Sequence, residues 1–201
     1  MAGETREPAY LTRPLSADTW GDFATLVEAN NGVWGGCWCM GFHPEAFGTS
    51  PQESRDRKLA RVRTGDAHAA LVYDGGTCVG WCQFGSSTEL TRLKNRKAYE
   101  AELTDLPDWR ITCFYVDKTR RRQGVSDAAL AGALVLIAGL GGGTVESYPE
   151  DTEARKVSSS FLHNGTVGMF ERHGFARDRR IGKDRWVVRT RVRALTGAAR
   201  T

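Results

Sequence analysis

The sequence predicts an α/β fold in a single domain: a mixed, mostly antiparallel sheet of six to seven strands flanked by helices. Three features predict it. Two short β-rich runs, Ala69 to Tyr73 and Cys78 to Phe84, are separated by Asp74-Gly75-Gly76, a hairpin signal that makes them antiparallel neighbours. The run Ile111 to Val116 leads through a glycine-containing loop and an apolar helix to a second run, Gly143 to Tyr148, and such a crossover makes its two strands parallel. Phe175 to Arg180 and Arg185 to Arg191 then flank Gly182 as a final hairpin.

In chain order, Tyr10 to Leu15 reads as the first strand. Ser16 offers an N-cap for a helix over Ala17 to Ala29, where Trp20, Phe23, Leu26 and Val27 recur at helical spacing. Asn30 to Pro44 is rich in glycine and aromatics without either period, so it reads as an ordered loop of functional length. Ser50-Pro51 with Glu53 is an N-cap, an N1 proline and a capping-box acid, opening a charged helix to about Arg63 that Thr64-Gly65-Asp66 ends. After the hairpin, Ser87 to Leu103 carries a thin apolar stripe and is predicted as a surface helix in an insertion spanning about 86–108, before the fourth strand. Val125 to Ala138 is an apolar helix, Asp151 to Ser160 a polar loop, and Thr166 to Arg172 a short helix ended by Gly174. The core spans about 10–192 and a frayed tail about 194–201.

With 201 residues, 40% hydrophobic and 26% charged, the chain can bury a full core without staples. Its five cysteines are an odd number with no export signal, which favours reduced thiols, and the opening residues point to a cytoplasmic address. Cys37, Cys39 and His43 lack a fourth ligand at a familiar spacing, so no metal is expected. Ala128 to Leu140, the longest apolar stretch, is shorter than the roughly 20 residues of a membrane span. A net charge of +4, much of it in Arg120 to Arg122 and the C-terminal third, suits a phosphate-bearing ligand or RNA.

The most informative segment is Ile111 to Ser126. A buried strand feeds a basic turn with Gly124, which opens an apolar helix; free backbone N–H groups and the positive helix end then converge on one spot that suits a diphosphate. Gly124 allows close approach of a ligand to the backbone. Arg121-Arg122-Gln123-Gly124-Val125-Ser126 resembles the R/Q-x-x-G-x-G/A signature of the GNAT superfamily of N-acetyltransferases, with Ser126 where glycine or alanine is usual. Phe170-Glu-Arg-His-Gly-Phe resembles a second family feature. The Trp-Cys loop and Gly165-Thr-Val-Gly-Met-Phe170 are similar to those of a bacterial group within it.

The resemblance implies a GNAT-like sheet and transfer of an acetyl group from acetyl-CoA to a primary amine by direct attack in a ternary complex. It implies that Arg121, Arg122, Gln123, Gly124, Val125 and Ser126 line the coenzyme A diphosphate, that Phe114, Tyr115 and Val116 pair with the pantetheine arm, and that Phe170 borders the cofactor. A backbone N–H of Tyr115 or Val116 would meet the thioester carbonyl. An amine acceptor, of pKa about 10.4 for a lysine type, must lose a proton. Glu146 is the candidate base, since the glutamate some members place on the fourth strand is replaced by Arg110, with Asp108 two places earlier. The tyrosine that many members use to protonate the thiolate is replaced by Phe170, which leaves Tyr148, Ser160, His163 and Tyr115 as candidates. Cys113, mid-strand between apolar residues, reads as core rather than nucleophile. Trp34, Cys37, Trp38, Cys39 and Phe42 lie in the loop that borders the acceptor site in the family, as an aromatic wall or as packing. The expected partner is a small-molecule or peptide amine, with the chain a monomer or homodimer and no membrane contact. The alternatives are a noncatalytic acyl-CoA sensor and an RNA-associated basic protein, with a charged tRNA as acceptor uniting the last with acetyl transfer.

Overall fold

The computed structural model describes residues 10–33, 35–153, 157–158 and 162–195. Seven strands form one sheet in the order β1-β2-β3-β4-β5-β7-β6. These are β1 (Leu11–Pro14), β2 (His68–Asp74), β3 (Thr77–Ser86), β4 (Trp109–Val116), β5 (Gly143–Ser147), β6 (Ala176–Arg180) and β7 (Trp186–Val192). All neighbours are antiparallel except β4 and β5, which are parallel as the crossover requires. The helices are α1 (Trp20–Glu28), α2 (Pro51–Thr64), α3 (Arg96–Ala101), α4 (Val125–Gly139) and α5 (Val167–Arg172), with a 3₁₀ turn over Lys118–Arg120. Among the described residues, no helix is long and apolar enough to cross a membrane.

Both faces of the sheet are covered. Under α1, α2 and the loop between them, Leu71, Trp81, Cys113 and Tyr115 pack against Phe23, Val27, Trp38 and Met40. On the opposite face, Val72, Cys82, Phe84 and Phe114 meet Ala129, Leu130 and Ala133 of α4 and Phe170 of α5. Each large side chain so buried contributes about 1.5–3 kcal/mol. At Gly132 an added Cβ would lie 2.7 Å from the Thr12 side chain, so glycine lets α4 settle directly onto β1.

The helix α2 opens as its sequence dictates. Ser50 Oγ accepts from Glu53 N at 3.1 Å, Pro51 stands at the first position, and Gly65 ends the helix at φ +77°. The Glu53 carboxylate reaches back one residue further than a capping box, to Thr49 N at 2.6 Å. Two expectations need correction. The first helix begins at Trp20 rather than Ala17, because Thr19 Oγ1 accepts from Ser16 N and donates to Pro14 O, closing a turn that the helix cannot enter. The insertion is helical only over Arg96–Ala101. Ahead of it, Leu90 is fully buried, Glu89 accepts from His68, and Asn95 stands at φ +60°, so tertiary contacts override the helical stripe.

Candidate active site

The site begins at a bulge. Gln83 pairs with Cys113 and Phe84 with Ile111, which leaves Thr112 as an extra residue in β4. The parallel pairing with β5 covers only Trp109 to Ile111, so β4 presents a free edge beyond the bulge. Asp117 N–H donates to Val79 O on the β3 side, while Phe114 N–H points the other way and donates to His163 O at 2.6 Å. Strand N–H groups alternate in direction, so Val116 N–H shares the free edge with Phe114 and Tyr115 N–H faces β3. Of the two donors expected for a thioester carbonyl, the Tyr115 amide is therefore corrected to a sheet-pairing group, and Val116 stays on the open side.

Beyond β4, the Asp117 carboxylate accepts from Thr119 N and Oγ1 at 2.8 and 2.6 Å and tightens the turn. Those bonds hold the Asp117 carboxyl below its usual range. Arg122 and Gly124 take left-handed backbone, φ +61° and +83°, and swing the chain into α4. An added Cβ at Gly124 would meet nothing within 4 Å, so the space above this turn is open. The first turn-closing bond of α4 is Ala128 N–H to Gly124 O, which leaves the N–H groups of Val125, Ser126 and Asp127 without helical partners at the positive end of a 15-residue helix. Arg120 is turned away to Asp74 at 3.0 Å.

Between the free edge and this turn lies a cleft of about 660 Å³. Phe114, Tyr115 and Val116 of β4 line it, Arg121, Arg122 and Ser126 form its basic end, and Asn30 and Val33 of the α1–α2 loop also line it, with Asn30 Nδ2 3.5 Å from the Asp117 carboxylate. Gln123 lies at the rim, where its carbonyl accepts from Tyr10 Oη at 3.0 Å. The Val125 side chain is buried and fills the space over Gly80, so only its backbone is on offer. Asn30 and Val33 escaped sequence reasoning; their signal was the Asn-Asn-Gly start of a long aperiodic loop.

Several sequence candidates stand elsewhere. Phe170 is fully buried, edge-on to Phe114 and Phe175, and backs the cleft wall instead of bordering a cofactor. Glu146 is paired in register with Arg110 and fully buried beneath the insertion. Its Oε2 accepts from Tyr99 and Tyr148 at 2.9 and 3.1 Å, and Arg189 Nε lies 3.0 Å from Oε1, close enough for an ion pair but out of line for a hydrogen bond. Burial pushes the Tyr148 and Tyr99 hydroxyls up, so both keep their protons as donors. Glu146 and Tyr148, expected as catalytic groups, thus belong to a closed structural network with Arg110, Arg189 and Tyr99, of which the sequence did not signal Tyr99 or Arg189. Tyr115 presents its ring to the cleft and stacks on Trp81, with centroids 4.7 Å apart.

The Trp-Cys loop is packed inward. Trp38 stacks on Trp20 at 5.8 Å under the Arg55 guanidinium, and Cys39 accepts from Trp81 Nε1 and lies 3.2 Å from Cys113, sulfur to sulfur. Neither Trp38 nor Cys39 forms an exposed wall, while Cys37 is half-buried. A hydrogen bond with Cys39 pushes the Cys37 thiol up, and burial pushes Cys78 up to about 12, which makes both poor nucleophiles. The Phe42 ring lies 6.2 Å from that of His163. Trp34 and Ser160 lie outside the described residues. Beside the loop, Lys58 is fully buried, with Nζ 3.1 Å from His43 Nε2 and 2.8 Å from Gln83 Oε1, and Gln83 Nε2 donates to Thr112 Oγ1 at 3.2 Å. This chain of bonds ends on the bulge residue itself. Its sequence signal was the spacing of Ser54, Lys58 and Val62, one face of α2.

A mixed open sheet whose central strands part over a basic turn defines an architecture that solved structures share. A GNAT superfamily phosphinothricin acetyltransferase from Sinorhizobium meliloti, solved with acetyl-CoA, is 12% identical with a TM-score of 0.53, over 96% of this chain and 94% of that one. A Corynebacterium glutamicum structure named histone acetyltransferase and related acetyltransferase is 12% identical with a TM-score of 0.54, over 96% and 100%. An N-acetyltransferase from Staphylococcus aureus is 13% identical with a TM-score of 0.50, over 92% and 99%. The fold is that of the GNAT acetyltransferases. No protein-family model and no curated protein matches the sequence.

Proposed function

We propose that this chain is an acetyl-CoA-dependent N-acetyltransferase acting on a primary amine. The observation that carries the reading is the cleft itself: one end has unpartnered helix N–H groups with Arg121 and Arg122, and the other has a strand edge with the Val116 N–H turned outward. The first suits a diphosphate and the second an amide-bearing arm lying alongside β4. The open space over Gly124 fits close approach of a phosphate to the backbone. Bound there, acetyl-CoA supplies an activated acetyl thioester.

The residues then divide the work. Arg121, Arg122, Ser126 and the first N–H groups of α4 hold the anionic end, and Val116 fixes the depth of the arm. Phe114, backed by Phe170, and Tyr115, backed by Trp81, make the wall rigid. Of the side chains considered for proton transfer, His163 stands at the free edge, and we assign it that role; Glu146 and Tyr148 are committed elsewhere.

Calorimetric titration with acetyl-CoA tests this. The parent is expected to bind in the micromolar range, and Arg121→Glu and Gly124→Glu to lose binding while staying folded. A folded parent that does not bind sinks the reading. Binding without turnover of any amine would leave an acyl-CoA sensor, and His163→Gln should lower kcat without weakening acetyl-CoA binding.

A further inference from the structure

Outside the cleft, the insertion carries a run of exposed cations. Arg92, Lys94, Arg96 and Lys97 are all exposed within six residues. The first three, with Leu93 and with Gly41 and Phe42 of the α1–α2 loop, frame a second hollow of about 450 Å³ that no carboxylate lines. Arg96 pairs with Glu100 at 2.6 Å, whereas Arg92 and Lys94 have no acidic partner among the described residues. Exposed like charges held this close repel one another, and an anion relieves that repulsion.

The hollow also has a fixed place. Arg92 N–H donates to Phe42 O at 3.0 Å, and Asn95 Nδ2 donates to Ile181 O at 2.8 Å, which ties the segment to the α1–α2 loop on one side and to the β6–β7 turn on the other. The Phe42 ring faces His163, whose carbonyl sits on the Phe114 N–H. A continuous run of contacts therefore leads from the free edge of β4, where an acetyl group would be delivered, to a basic hollow in which Arg92 and Lys94 have no acidic partner among the described residues.

We propose that this hollow binds an anionic group of the acceptor, so that the acceptor is an amine whose own molecule carries a carboxylate or a phosphate. The inference rests on the acetyl-transfer reading and narrows its substrate class. An arginine fork and a lysine point charge suit either anion, and Arg92 and Lys94 supply one of each. The apolar face of Phe42 would pack the carbon chain between the anion and the amine.

Matched acceptor pairs test it at saturating acetyl-CoA, with release of the free thiol as the readout. A free α-amino acid is set against its amide, and phosphoethanolamine against ethanolamine; the two pairs separate carboxylate from phosphate. The expected result is that an anionic member leads its neutral partner by at least about tenfold in kcat/KM, mainly through KM. In an Arg92→Glu, Lys94→Glu variant the ratio should collapse toward one, while acetyl-CoA affinity, measured by calorimetry, is kept and reports the fold. Neutral members that do as well, a preference that survives the variant, or a protein that binds acetyl-CoA and acetylates no member of either pair would overturn the proposal. So would tight binding of a short oligouridine lost in the same variant, since that assigns the cations to RNA. Failure of the parent to bind acetyl-CoA is a separate result, obtained without any acceptor, and removes the transferase reading itself.

Discussion

Two buried polar clusters lie on either side of the bulge in β4, and they are built on opposite principles. Around Glu146, one carboxylate is matched by Arg189 and by the hydroxyls of Tyr99 and Tyr148, with Arg110 donating to Tyr99 Oη at 3.3 Å and to Leu90 O at 2.7 Å. Around Lys58, one cation is hydrogen-bonded to the neutral groups of His43 and Gln83, and the Glu89 carboxylate acts on it without a direct bond. Burial accordingly lowers the Lys58 pKa, and burial together with Lys58 drives His43 down to about 2. The first cluster locks the insertion onto β4 and β5 through opposite charges. The second carries its constraint through hydrogen bonds to Thr112, the residue after which the two central strands part. A charge-balanced cluster suits a region that only has to stay closed, while the one with no directly bonded anion sits where the sheet must open.

The comparison is most exposed to removal of the single anion. Glu146→Ala would leave the buried Tyr99 and Tyr148 hydroxyls and the Arg110 guanidinium without their carboxylate, and Arg189 with Asp105 alone, and unfolding by denaturant should show a loss of about 3–5 kcal/mol. A loss under about 1 kcal/mol would mean that the cluster is not closed to water. Lys58→Met removes a cation that has no directly bonded anion, since Glu89 stays with His68, and should cost less, about 1–3 kcal/mol, through the unpaired Gln83 Oε1 and His43 Nε2. If Lys58→Met proves the more damaging of the two, the contrast drawn here is wrong.

The pH dependence sharpens it. Because folding lowers the Lys58 pKa, the folded state disfavours its proton, and the penalty is fully present below that lowered value. It fades as pH rises through the folded pKa toward the ordinary lysine value of about 10.4. The stability gap between parent and Lys58→Met should therefore widen as pH rises through the lowered folded value toward the ordinary lysine range. A gap that is flat or narrows would show that Lys58 is not penalised by burial. Smaller effects mark the boundary of the argument. Ser50→Ala should cost about 1 kcal/mol through the lost cap on α2, which carries Lys58, without altering that pH trend. Glu100→Ala breaks an exposed pair on α3 and should change stability by less than about 0.5 kcal/mol.

Much of the fold could be read from neighbouring residues. The Gly75-Gly76 turn, the crossover between β4 and β5, the final hairpin and the cap of α2 all stand where local pattern put them. The basic turn could be read as well, since Arg121 to Ser126 follows a strand and opens a helix. The side chains around it were less legible. Glu146 and Tyr148 have the right chemistry for proton transfer, and only their partners from the insertion and β7 show that they are occupied. Phe170 matches a motif position and is still core, because Phe114 and Phe175 close over it.

The sequence alone determined the strands, the cap of α2 and the placing of a glycine in a basic turn, since each depends on backbone sterics and hydrogen bonds within a few residues. Only the tertiary structure decided that Thr112 is bulged, that Val116 rather than Tyr115 offers its N–H to the cleft, and that the insertion folds as an irregular cover with one short helix. Those outcomes depend on register and burial, and register and burial are set by residues far apart in the chain.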